Sequence, residues 1–393
     1  MLSLPIYLDY NATTPCDPRV VTCMLPYFSE VYGNAASRTH SFGWAAEEAV
    51  DLAREQVAKL IGAEPKEMVF TSGATEAVNL AIKGVFEKYI GKGNHIITCS
   101  TEHKAVLDAC KHIEKVGGEV TYLPVDGEGC IDLRQLEAAI RPETILISLM
   151  FANNETGTLH PVREIGAIAR KHGTLFFCDA TQAAGKIPIN VNFENIDLLA
   201  FSAHKMYGPK GVGALYVRRR NPRVALAAQM DGGGHEKNMR SGTLNVPGIV
   251  GFGKAAELCG ENMAEESGRL AALRDQLENA LLQTGSAYVN GNTRARLPHV
   301  TNISFQYTES QLLMMSFAKE IALSSGSACT SASLEPSYVL KAMGLDDDLA
   351  HSSLRFSLGR FTTQEQISYV ISVVTQSIRQ LRETSPLWAS HHQ

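Results

Sequence analysis

Between residues 68 and 217 the chain repeats one pattern. A short apolar run is followed by a longer stretch whose apolar residues recur at helical spacing. The runs 68–71, 95–99, 119–124, 144–150, 174–178, 198–201 and 213–217 read as strands. The stretches 45–61, 76–89, 104–116, 133–140 and 162–172 read as helices; in the first, Ala49, Leu52, Ala53, Val57 and Leu60 line one face. Strands alternating with helices imply βαβ units, hence an α/β fold with a mainly parallel, seven-stranded sheet. Such sheets bind ligands outside the carboxyl ends of their strands, so the residues that follow each strand matter most.

After about residue 250 the character changes. A long charged helix pattern over 254–282 precedes a strand-like run at 302–305 and further helices. A chain of 393 residues is long for one core. We expect a large α/β domain over 16–258 and a small α+β domain formed by 1–15 with 259–393.

Hydrophobic residues make up 45% and charged residues 20%, as in ordinary soluble enzymes. The net charge of −5 argues against nucleic-acid binding through bulk charge, and Arg218-Arg219-Arg220 is too short a basic run to change that. Eight cysteines are scattered without a C-x-x-C pair, so no structural zinc or other metal site is expected. Their placement suits a reducing compartment. The first residues show neither a basic region nor a long apolar segment, so we expect a cytoplasmic protein without a leader or membrane span.

The run Leu198 to Phe201 delivers Ser202, His204 and Lys205 to a Gly/Pro-rich turn. A second run, Leu175 to Cys178, ends in Asp179-Ala-Thr-Gln182. Alone, such a lysine is an ordinary surface charge and such an aspartate an ordinary turn former. Together they are what pyridoxal 5'-phosphate requires: an amine for its aldehyde and an acid for its pyridinium nitrogen.

Other strand ends agree. Thr71-Ser-Gly-Ala74-Thr75-Glu76 opens a helix with small residues that let backbone amides approach a phosphate. Ser202 and His204 can bond the same phosphate. His103, after the strand 95–99, can stack on a ring and carry protons. Asn153-Asn154, after 144–150, can reach a ring oxygen or a substrate carboxylate, and Arg355 suits a carboxylate as well. Cys329 lies in Ser324-Ser-Gly-Ser-Ala-Cys329-Thr-Ser-Ala-Ser333, where no large or charged residue can anchor the loop. A lone cysteine on a loop expected to be mobile and exposed makes a good nucleophile.

These segments together resemble the cysteine desulfurases, class-V members of the fold type I, aspartate-aminotransferase-like enzymes. The resemblance rests on Tyr7-Leu-Asp-Tyr-Asn-Ala-Thr-Thr14, Phe70-Thr-Ser-Gly-Ala-Thr-Glu76, Thr101-Glu-His103, Asn153-Asn154-Glu, Asp179-Ala-Thr-Gln182, Ser202-Ala-His-Lys205, Met239-Arg-Ser-Gly-Thr243, Ser325-Gly-Ser-Ala-Cys329-Thr and Leu354-Arg355-Phe-Ser-Leu-Gly-Arg360. It spans about residues 5 to 388. The form of the Cys329 loop is similar to the housekeeping branch that feeds iron–sulfur cluster assembly.

The resemblance implies a role for each matching residue. Lys205 holds the cofactor aldehyde and moves the substrate Cα proton. Asp179 pairs with the pyridinium nitrogen, Gln182 with the ring hydroxyl, and His103 stacks on the ring and serves the substrate thiol. Ala74, Thr75, Ser202 and His204 hold the phosphate, joined by Thr243 from the second subunit of a homodimer. Asn154 and Arg355 hold the carboxylate of L-cysteine. Cys329 takes the sulfur as a persulfide and passes it to an iron–sulfur scaffold and possible tRNA-thiolation carriers, without direct contact with nucleic acid or membrane. Selenocysteine lyase is the alternative activity. Ala77-Val78 stands where the family is more polar, with little effect expected, and the short tail after Trp388 implies weaker or displaced scaffold docking.

Overall fold

The computed structural model describes residues 2–325, 335–385 and 388–389. In chain order its strands are β1 (Ile6–Tyr7), β2 (Met68–Thr71), β3 (His95–Cys99), β4 (Glu119–Leu123), β5 (Thr144–Ser148) and β6 (Leu175–Asp179). They continue with β7 (Leu198–Ser202), β8 (Gly213–Val217), β9 (Ala287–Val289), β10 (Val300–Phe305), β11 (Ile321–Ala322) and β12 (Ser353–Ser357).

The central sheet has seven strands in the order β2-β8-β7-β6-β5-β3-β4. All run parallel except β8, which is antiparallel to β2 and β7. The reason is the link between β7 and β8, residues 203–212. It holds only a short 3-10 turn at Ala203–Lys205, and a parallel return needs a crossover of a dozen or more residues.

Both sheet faces are covered, which explains the unbroken apolar runs. Phe176, Cys178, Leu199, Phe201 and Tyr216 face one core with helices Ser41–Leu60 and Val162–His172. Leu175, Phe177, Leu198, Ala200 and Leu215 face the other with helices Ala74–Tyr89 and Lys104–Lys115. The two-residue alternation along each strand sorts them.

Helix Val246–Leu282 joins this layer to a third core. Its first half, including Val246, Ile249 and Phe252, packs on the large sheet. Its second half, including Leu270, Leu277 and Leu281, packs with Ile303, Phe356, Ile378 and, from the amino end of the chain, Ile6 and Leu8. The antiparallel sheet β12-β10-β9 and the parallel pair β1-β11 sit there. The helix begins eight residues before the expected 254, because Gly248, Gly251 and Gly253 disguise the pattern. They serve packing: a Cβ on Gly253 would stand 2.6 Å from Ala53 Cα, and one on Gly251 2.5 Å from Met24 Sδ. Pro247 lies in the first turn, and Asn245 caps it by accepting from the Gly248 amide.

Candidate active site

The carboxyl ends of β2, β3, β5, β6 and β7 converge on one cleft of about 520 Å3. Ala74, Thr75, His103, Asn154, Asp179, Gln182, Ser202, His204 and Lys205 all line it. Each arrives because its strand ends in a buried run and its side chain is the next to leave the sheet.

The Lys205 amine donates to the backbone carbonyls of Asn11 and Ala12 (2.9 Å to the latter). Asp179 is buried. One of its oxygens accepts from the Thr181 amide at 2.9 Å and from the Thr181 hydroxyl. The other accepts no hydrogen bond among the described residues and is available to a cationic ring N–H. Gln182 donates to the Asn11 carbonyl at 3.0 Å.

His103 caps helix Lys104–Lys115, its Nδ1 accepting from the Ala105 amide at 3.1 Å. A nitrogen that accepts carries no proton, so in the neutral form of this ring the proton sits on Nε2. His204 lies 3.1 Å from Thr13 Oγ1. Burial, with the charges of Lys205 and Lys210 beside it, pushes its pKa down to about 4, so it is a neutral hydrogen-bonding group at ordinary pH.

Helix Ala74–Tyr89 starts at Gly73 with no side-chain cap, leaving its first amides for an outside acceptor. Gly73 has φ +158°, and a Cβ there would meet only Ser202 Oγ, at 4.0 Å. Backbone and Ser202 thus frame an open cradle for an anion. Glu76 in the same first turn does not oppose this: it accepts from the Ser72 amide and pairs with Arg240 at 2.7 Å.

Arg355 does not line the cleft itself but meets Asn154, which does. Arg355 is buried, donating to the Asn154 carbonyl at 2.9 Å and pairing with Asp9 at 2.7 Å. Asn154 Oδ1 is buried and has no hydrogen-bond partner among the described residues. Ser324 accepts from Arg355 at 2.9 Å and so ties the approach to the Cys329 loop onto the same arginine. Cys329 itself lies outside the described residues. Thr243 is exposed and does not line the cleft of its own chain.

Several site residues escape sequence reasoning. Ala12, Thr13, Thr181 and Lys210 line the cleft, and Asn11 bonds both Lys205 and Gln182. Asn11 to Thr13 follow no strand of the large sheet, so strand-end logic cannot find them. Glu102 is fully buried; its Oε1 accepts from the Met150 amide at 2.6 Å and its Oε2 has no partner among the described residues. Burial, with Asp179 nearby, drives its pKa well above its ordinary value.

The free Asp179 oxygen, the uncapped helix beside an open glycine and the unpartnered Asn154 oxygen suit pyridoxal phosphate: a ring cation, a phosphate and polar ring substituents. Among the described residues, no three His, Cys, Asp or Glu side chains cluster to hold a metal ion.

Comparison with known proteins agrees with this geometry. The "Aminotransferase class-V" family model matches residues 6–370. A protein of Anaeromyxobacter sp. (strain Fw109-5) named cysteine desulfurase IscS is 60% identical over 388 residues, covering 98% of this chain and 96% of its own. A solved "NifS-like protein" superposes with a TM-score of 0.88 at 36% identity, covering 96% of this chain and 100% of that one. The structure titled "SspA in complex with cysteine" gives 0.80 at 37% identity, covering 91% and 100%. By the length and closeness of these matches, the chain belongs to the class-V aminotransferase family and, within it, to the pyridoxal-phosphate-dependent cysteine desulfurases.

Proposed function

We propose that the chain converts L-cysteine and the Cys329 thiol into L-alanine and a Cys329 persulfide. One C–S bond breaks and one S–S bond forms, so the step needs no outside oxidant or reductant. Pyridoxal phosphate, when bound, supplies an electron-accepting ring that acidifies the substrate Cα–H and loosens the C–S bond. Lys205 would hold it, with Asp179 at the ring nitrogen, Gln182 and His103 about the ring, and Ala74, Thr75, Ser202 and His204 at the phosphate.

The rest is this chain's own work. Lys205 removes and returns the proton at Cα. The carboxylate of L-cysteine sits on Asn154 and Arg355, which orients the amino group towards Lys205. His103, with its Nε2 at the cleft, exchanges the substrate thiol proton. Cys329 takes the sulfur.

The observation that carries this reading is the convergence of Lys205, Asp179 and Asn154 on one cleft, with Arg355 hydrogen-bonded to Asn154. The exposed position of Thr243 supports a homodimer in which it completes the phosphate site of the other subunit. The separate packing of residues 6 and 8 with the C-terminal core supports the division into 16–258 and 1–15 with 259–393. Iron–sulfur scaffold proteins would be the sulfur acceptors. No described helix is long and apolar enough to cross a membrane, and we place the activity in the cytoplasm.

The test is alanine release from L-cysteine, with mass spectrometry of the Cys329 peptide. Wild type should gain one sulfur atom on that peptide. Cys329→Ala should lose cysteine turnover while still binding the cofactor. Unchanged turnover of cysteine by Cys329→Ala would remove the relay from the account, and retained turnover of selenocysteine alone would favour a lyase.

A further inference from the structure

Asn11 follows Tyr10 in the extended amino-terminal segment, distant in sequence from every strand of the large sheet. It is 1% exposed, and each of its polar atoms is spent. Its amide donates to Ser357 Oγ at 2.9 Å. Its Nδ2 donates to the Asn154 carbonyl at 3.0 Å. Its own carbonyl accepts from Gln182 at 3.0 Å and from the Lys205 amine. Its Oδ1 accepts from His299 Nε2 at 2.8 Å.

Few side chains could do this. The position needs one donor towards Asn154 and one acceptor towards His299, about a planar group, and asparagine supplies both. His299 is fully buried, and burial together with Lys186, Arg274 and Arg355 drives its pKa well below the usual value. A neutral imidazole facing an amide oxygen must carry its proton on Nε2, which orients the Asn11 amide. The Asn154 carbonyl that Asn11 holds is the one that takes Arg355.

We propose that Asn11, backed by His299, is a positioning residue that ties two catalytic functions together. Its carbonyl gives the Lys205 amine a fixed station when that amine is released. Its side chain sets the Asn154–Arg355 clamp on the substrate carboxylate. The amine and the clamp thereby keep one spacing, although they come from different strands and different cores. The inference rests on the roles given above to Lys205, Asn154 and Arg355.

Two readouts test it in the full chain. The first is KM for L-cysteine in the holoenzyme. The second is the rate of Lys205 acetylation by acetic anhydride in cofactor-free protein, read on its peptide by mass spectrometry. Asn11→Ala keeps the main-chain carbonyl but removes the side-chain tethers to Asn154 and His299 that fix its place, so it should raise KM about tenfold and speed acetylation at least about threefold. His299→Leu should shift both in the same direction by less, and His299→Gln, which keeps an N–H donor, should restore both. If Asn11→Ala does not fold, Asn11→Ser and His299→Leu carry the same comparison. Wild-type values for both readouts overturn the proposal. So does movement of only one, because the claim is that one residue sets both. A chain that did not turn over L-cysteine would lack the first readout in wild type, yet the acetylation comparison would still report the hold on Lys205.

Discussion

Two clefts open on opposite edges of the large sheet. The active-site cleft, at the carboxyl ends of the strands, measures about 520 Å3, and a groove at their amino ends measures about 640 Å3. The groove carries Lys92, Arg141, Arg170, His172, Arg223 and Asp197. Most of that charge is spent on neighbours. Arg141 pairs with Glu119 at 2.8 Å and Arg170 with Asp197 at 3.3 Å, and His172 hydrogen-bonds Glu137 at 3.0 Å. Asp197 also takes Arg218 and the Phe176 amide. In the active-site cleft the opposite holds: an Asp179 oxygen, the Asn154 amide oxygen and the first amides of helix Ala74–Tyr89 are left for a ligand. Size and charge do not mark the working site. Between these two clefts, polar groups left without partners do, because each costs free energy until something binds it, although among the described residues such groups also occur elsewhere, as at His160 and Lys186.

The hardest blow to this contrast is Lys205→Ala, which should cut alanine formation by at least about 10³-fold, measured as alanine released from L-cysteine. Asp179→Ala removes the acid proposed to pair with the ring nitrogen and should cost on the order of 10²-fold in kcat. A cofactor absorption band of wild-type position and pH response in that variant would count against the pairing.

Glu102→Gln sharpens the contrast, because it is a buried carboxyl beside the site that needs no charge. It should stay within about threefold of wild-type kcat/KM, since an amide oxygen can still accept from the Met150 amide. Its pH signature is specific. The folded pKa lies above the unfolded value near 4.5. Below that value both states hold the proton. As pH rises past it only the unfolded chain releases the proton, so wild-type stability falls until the folded pKa is passed. The melting-temperature advantage of Glu102→Gln over wild type should therefore widen as pH rises from 5. A constant difference would show that the carboxyl is ionised in the folded state.

The smallest effect is expected in the groove. Arg141→Gln with Arg170→Gln should leave kcat and KM within about twofold and barely move the urea unfolding midpoint, as surface ion pairs do. A tenfold rise in KM there would break the comparison outright.

Much of the site was legible because it follows strands. Lys205, Asp179, His103 and Asn154 each sit just after a buried apolar run, and parallel sheets deliver such residues to one edge. Asn11 and Thr13 are legible only through the family resemblance, since no periodicity points from the amino-terminal segment to β7. His299 gave no signal, lying between Pro298 and a strand of the other core. Arg355 read as a carboxylate ligand from its apolar run, but its hold on Asn154, Asp9 and Ser324 is visible only in space.

Local order therefore settled the α/β class, most strand positions and which strand-end residues gather at one cleft, because hydrophobic periodicity and strand ends are properties of neighbouring residues. The fold alone decided that β8 runs backwards, that helix Val246–Leu282 spans two cores, and that one asparagine near the start of the chain meets lysine, clamp and buried histidine at once. Those outcomes depend on link length, close packing and hydrogen bonds between residues hundreds of positions apart, and no window along the chain contains both partners.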